Sequence, residues 1–137
     1  MMTLIQMLKL TPTIVQKSTK NTRILEAKMS KGKIGGTKKL SMKIKRTTSD
    51  GRKHGTYRVT VEGVDPKRTK LSEGYVKVSC ACAAFTYWGI EYVLHQKKAA
   101  DIKHSDGSAP NIRNPALRIF LCPHLTKAAQ SIIRQGV

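Results

Sequence analysis

The chain has 137 residues, 26 Lys and Arg against 8 Asp and Glu (a formal charge of +18), 39% hydrophobic residues and only 5% aromatic ones. That length fits one domain with room for an extended arm, and no run approaches the ~20 apolar residues needed to span a bilayer. A chain this basic repels itself and is matched to a polyanion or to acidic neighbours in an assembly. Nucleic acid, DNA or RNA, is therefore the first partner expected, with no membrane and no small-molecule substrate.

Met1–Val15 contains Lys9 and Gln6 and lacks both a basic leading segment and a small-residue cleavage site, so it does not read as a secretory signal. Residues 17–53 hold 13 basic residues against Glu26 and Asp50. Within them Ser30–Lys39 combines Gly32, Gly35 and Gly36 with Lys31, Lys33, Lys38 and Lys39, and is expected to be a mobile loop. It fits a solvated linker or a phosphate-contacting loop equally; it is not a P-loop, because no G-K-[ST] is present.

Strand-type alternation flanks this loop. Leu40, Met42 and Ile44 alternate with Ser41, Lys43 and Lys45, and Tyr57, Val59 and Val61 alternate with Arg58, Thr60 and Glu62. Thr47–Gly55, with its Asp50-Gly51 turn signal, joins the two into a hairpin with one apolar and one basic face. Leu25, Ala27 and Met29 predict a strand before it, and Tyr75, Val76 and Val78 one after, with Gly63–Gly74 as the connection. The fold class expected is α+β, a small antiparallel sheet with a cationic outer face plus helices. Lys31, Lys33, Lys38, Lys39, Lys43, Lys45, Arg46, Arg52 and Lys53 are the candidate phosphate contacts.

The second half differs. Ala83–Ala100 places Phe85, Trp88, Tyr92 and Val93 at helical spacing and predicts one helix, whose aromatics are expected to pack in the core rather than stack on bases. His104–Pro115 reads as a turn-rich loop, and His124–Arg134 as a short helix with Leu125, Ala128, Ala129 and Ile132 on one side. The chain accordingly divides into a basic, β-rich region (1–74) and a metal-binding region (75–137), expected to form one compact domain.

Cys80-Ala81-Cys82 and Cys122-Pro123-His124 use every cysteine in the chain. An odd number of cysteines cannot close a full disulfide framework, which suits a reducing, cytoplasmic setting. An S₃N ligand set suits Zn²⁺, which favours thiolate and imidazole in a tetrahedron. One residue between ligands is tighter than the usual C-x₂-C, but alternate side chains on an extended strand end project to the same side. The alternatives are three buried thiols beside an unrelated histidine, a catalytic zinc, or a Cys122–His124 nucleophile pair. Four ligands close the shell, no H-E-x-x-H accompanies them, and no orienting acid sits beside the pair. His54, His95 and His104 remain as reserve ligands, and no enzyme activity is expected.

The order C-x-C…C-x-H resembles the SWIM-type zinc finger, matching it at all four ligand positions over roughly Tyr75–Arg134. The resemblance implies a ββα unit with a structural zinc that serves DNA or protein binding. The 39-residue insert between the pairs is long for that family. The small size and basic arm are also similar to bacteriophage proteins bearing the motif. That implies a place in the host cytoplasm or the virion and, as a second function, a structural subunit of a phage particle or other large assembly.

Overall fold

The computed structural model describes residues 1–47, 53–103, 105, 107, 114 and 116–137. Five strands, β1 (Met2–Thr3), β2 (Thr22–Lys31), β3 (Lys38–Thr47), β4 (Lys53–Gly63) and β5 (Tyr75–Cys80), form one antiparallel sheet in the order β1-β5-β4-β3-β2. The helices are α1 (Leu4–Leu10), α2 (Thr13–Lys17), α3 (Ala83–Tyr87), α4 (Ile90–Gln96) and α5 (Pro123–Gln135). The chain is thus α+β, as its two periodicities predict. Its sheet joins the two regions of the sequence, since Met2 and Thr3 pair with Val76 and Tyr75. No described helix is long and apolar enough to cross a membrane.

Register explains the two faces. Ile44 pairs with Tyr57, Met42 with Val59 and Leu40 with Val61, while Val59 pairs with Cys80 and Val61 with Val78. Cross-strand partners share a face, so one row of apolar side chains crosses β3, β4 and β5 and is buried beneath the helices. α5 seals that core. Leu125, Ala128, Ala129 and Ile132 recur at helical spacing and are buried. Pro123 stands at its start and Gly136, at φ +70°, at its C-terminal cap.

Two expectations are corrected and a third is refined. The segment Ser30–Lys39 is not a loop throughout: Ser30 and Lys31 end β2 and Lys38 and Lys39 begin β3, paired in register, which leaves only residues 32–37 as the connection. Ala83–Ala100 is not one helix. Gly89, in the left-handed region at φ +68°, separates α3 from α4. Phe85, Ile90 and Leu94 still reach the core, but the break leaves Trp88 42% exposed. Leu25, Ala27 and Met29 do lie on a strand, yet β2 is an edge strand and Leu25 and Met29 remain exposed. A register shift between Ile24 and Glu26 inserts Leu25 as an extra residue. The Asp50-Gly51 turn and most of His104–Pro115 lie outside the described residues.

The opening helices carried no expectation. Their signal is the capping box Thr3-x-x-Gln6: Gln6 N–H donates to Thr3 Oγ1 at 3.2 Å and Thr3 N–H donates to Gln6 Oε1 at 2.9 Å. α1 then buries Leu4 and Met7. The Thr11 hydroxyl, one residue past α1, accepts from Leu121 N–H at 3.0 Å and so ties this end to the chain just before α5.

Gly74 closes the connection between β4 and β5, its N–H donating to the Lys70 carbonyl at 2.9 Å. A β-carbon there would collide with the Arg68 carbonyl oxygen, whereas one at Gly35 meets nothing within 4 Å. Gly74→Ala is expected to destabilise the protein by about 2 kcal/mol and Gly35→Ala by less than about 0.5 kcal/mol, measured by chemical denaturation.

Candidate metal centre and cationic sheet face

The sheet, α3 and α5 converge at one corner. Cys80 is the last residue of β5 and lies on its inner face opposite Val59; Cys82, two residues on, is the N-cap of α3. Cys122 is the N-cap of α5, where its Sγ accepts from Leu125 N–H at 3.5 Å, and His124 is the second residue of that helix. The four ligand atoms of Cys80, Cys82, Cys122 and His124 all lie within 4.8 Å of one another, and all four residues are buried. The three cysteines are free thiols.

This donor set fits a metal. A tetrahedron with Zn–S near 2.3 Å and Zn–N near 2.0 Å has edges of roughly 3.5–3.8 Å, which the observed cluster reaches with small adjustments. A second observation points the same way: both ring nitrogens of His124 are buried without a hydrogen-bond partner among the described residues. Such an imidazole is costly unless something binds it. Tyr57 packs edge-on against the ring, 5.1 Å between centroids.

The thiols are electrostatically unequal. Hydrogen bonds with Cys122 and then Cys80 pull Cys82 far below the ordinary thiol range, and His124 adds to the effect. Cys80 is pulled down by Cys122, but its bond with Cys82, burial and the negative charge on Cys82 outweigh this and leave it high. Cys122 is pushed up by burial, then by its bonds with Cys80 and Cys82. The three thiols thus favour negative charge at Cys82 over Cys80 and Cys122.

The other candidates stand apart from this cluster. His95 Nδ1 lies 2.9 Å from the Ala100 carbonyl. Buried Glu91 accepts from the N–H and hydroxyl of Ser105, both at 3.0 Å. Asp101 pairs with Lys77 at 2.9 Å, and that hydrogen bond lowers its carboxyl below the usual range. His104 and the side chain of His54 are outside the described residues.

The candidate phosphate contacts divide into three groups. Lys39, Lys43 and Lys45 lie on the outer face of β3, where register puts Arg23, Lys28, Arg58 and Lys77 beside them. Glu26 and Glu62 share this face, and Arg58 Nη1 donates to Ser41 Oγ at 3.0 Å across it. Lys31, Lys33 and Lys38 are exposed around the β2–β3 connection. Arg46 is placed differently: it pairs with Thr22 on the inner side and lines a cavity with Tyr57 and His124. Arg52 lies outside the described residues, and Lys53 begins β4 without a described side chain. Sequence reasoning missed Arg23, Lys28, Arg58 and Lys77 as members of the basic face; strand alternation in β2, β4 and β5 carried that signal. Comparison with protein-family models, curated proteins and solved structures finds no match in any of the three.

Because Cys80 and Cys122 are pushed above the ordinary thiol range, metal uptake should release protons. Competition with a chelator across about pH 6–8 is expected to give a log K that rises with pH, and a log K independent of pH contradicts this.

Proposed function

We propose that the protein is a non-catalytic zinc-binding module that holds nucleic acid through phosphate contacts on its open sheet face. The observation that carries the reading is the buried Cys80, Cys82, Cys122, His124 cluster set behind a sheet whose opposite face is basic. Zn²⁺ is the ion that three thiolates and one imidazole in a closed shell suit best. Four protein ligands leave no open position for a substrate or activated water, which supports a structural rather than a catalytic role. The C-x-C…C-x-H order keeps the resemblance to the SWIM-type finger as the reading of the motif. A reducing compartment, the cytoplasm of the cell or of a phage host, suits its thiols.

On the outer face Lys39, Lys43, Lys45 and Arg58 stand in adjacent rows with hydroxyls of Ser41, Thr56 and Thr60 between them. Cations interleaved with small hydroxyl donors suit phosphate oxygens and carry little base discrimination. Binding of this kind weakens steeply with salt. A second reading, a subunit of a virion or other large assembly, is favoured by one observation: β2 is a ten-residue edge strand bearing exposed Leu25 and Met29.

Duplex binding measured from about 50 to 200 mM salt should fall linearly on a log–log plot. Replacing Lys43, Lys45 and Arg58 together by Gln should reduce that slope by about three and leave the melting temperature nearly unchanged. An unchanged slope rejects the sheet face as the contact surface, and absence of binding at ~50 mM salt rejects the nucleic-acid reading. Chelation of the metal, in contrast, is expected to lower the melting temperature itself.

A further inference from the structure

A cavity of about 200 Å³ opens beside the metal cluster, lined by Arg46, Tyr57, Cys82, His124 and the first residues of α3 and α5. Two of the four candidate ligands, Cys82 and His124, form part of its wall, so it borders the cluster directly. It shares Arg46, Ala84 and Pro123 with a second, largely apolar cavity of about 380 Å³, whose walls include Trp88, Phe120 and Val15. Among the described residues no carboxylate lines either one.

Two donors in the first cavity lack an acceptor. Arg46 Nε is buried with no hydrogen-bond partner among the described residues, and neither ring nitrogen of His124 has one. A metal takes one of those nitrogens. The other, as in metal-bound histidines generally, needs an acceptor for its N–H. A buried guanidinium N–H beside a buried imidazole N–H calls for an acceptor-only, anionic oxygen. The adjoining apolar cavity is large enough for a flat ring, and Trp88, the one tryptophan in the chain, offers an aromatic surface there at 42% exposure.

The geometry points to a pocket for one unpaired nucleotide, its phosphate accepting from Arg46 and His124 and its base lying in the apolar cavity against Trp88. The pocket rests on the nucleic-acid reading above and deepens it: a base held in a duplex cannot enter, so the protein prefers single strands. The sheet face supplies attraction to either form, whereas this pocket supplies the discrimination. The competing role for Arg46 is electrostatic, because three thiolates around a divalent zinc leave a net negative charge that a guanidinium offsets.

The test uses the zinc-loaded full chain and three probes: a single-stranded oligonucleotide, the duplex of the same sequence, and inorganic phosphate. Affinity is read by anisotropy of labelled oligonucleotides and pocket occupancy by Trp88 fluorescence. The single strand is expected to quench Trp88 and bind about tenfold more tightly than the duplex. Arg46→Gln should remove that preference while leaving duplex affinity and zinc content unchanged. Trp88→Ala, a surface change that keeps the fold, should lose about tenfold for the single strand, and Trp88→Phe should retain most of it. Equal quenching by duplex, or equal loss of both affinities in Arg46→Gln, overturns the pocket and leaves the sheet-face reading intact. Loss of zinc in Arg46→Gln with strand preference unchanged makes Arg46 the counter-ion of the thiolates. Quenching by inorganic phosphate alone makes the cavity a free-anion site instead. If neither strand form binds, the pocket and the reading beneath it fall together.

Discussion

The fold depends on four side chains meeting at one corner. Cys80 and Cys82 carry the end of β5 into α3, while Cys122 and His124 start α5, the helix that seals the sheet. Between the pairs lie 39 residues, and closing such a loop costs about 3 kcal/mol of chain entropy. In a chain with few aromatics and much like charge, a metal held by these four side chains would offset that cost locally, where apolar burial alone is thin. The start of α5 lies beside Cys80, and from there Leu125, Ala128 and Ile132 enter the same core as the buried row of β3, β4 and β5.

The same corner explains how a chain of this charge stays compact. Strand alternation sends Lys39, Lys43, Lys45 and Arg58 to the face away from the helices, so the core receives almost no charge. Repulsion is then spread over an open surface where solvent and salt screen it. The sheet acts as a partition, with hydrocarbon and thiolates behind it and most of the positive field in front. That separation gives one small domain a buried Cys/His cluster behind its sheet and a basic face in front.

Much of this arrangement was legible in the sequence, for reasons that lie in its local character. C-x-C and C-x-H are pairs whose geometry is set within a turn, so spacing alone brought out the ligands. The β3–β4 pairing was legible because period-two alternation is unambiguous when one face is lysine and the other is valine, leucine or isoleucine. What escaped depended on single backbone events. One residue in the left-handed region, Gly89, turned a predicted continuous helix into two and moved Trp88 from core to surface. Arg46, by contrast, follows plain alternation from Ile44 onto the side opposite Lys43 and Lys45, so its inward placement was legible in the strand period. At β2 the strand was legible, whereas the exposure of its Leu25 and Met29 was not, because whether a strand face is covered depends on how far α5 reaches, which is a tertiary property. The α1 capping box was local and legible; it lay in a stretch weighed only as a possible leader.

The placement of the cysteines also has an electrostatic logic. Cys82 and Cys122 occupy the N-cap positions of α3 and α5, where unpaired backbone N–H groups and the positive ends of the helices favour negative charge. At Cys122 the Sγ stands where an Asp or Ser side chain would otherwise cap the helix, as the Leu125 N–H to Cys122 Sγ contact demonstrates. The same atom belongs to the candidate metal cluster, so a bound metal would be coupled to helix initiation through it. Arg46 follows Ile44 in the strand alternation onto the inner face, where it lines a cavity with Cys82 and His124, while Lys43 and Lys45 face the other way. The cluster and one cation of the basic strand therefore border the same cavity, although most of that strand's charge lies across the sheet.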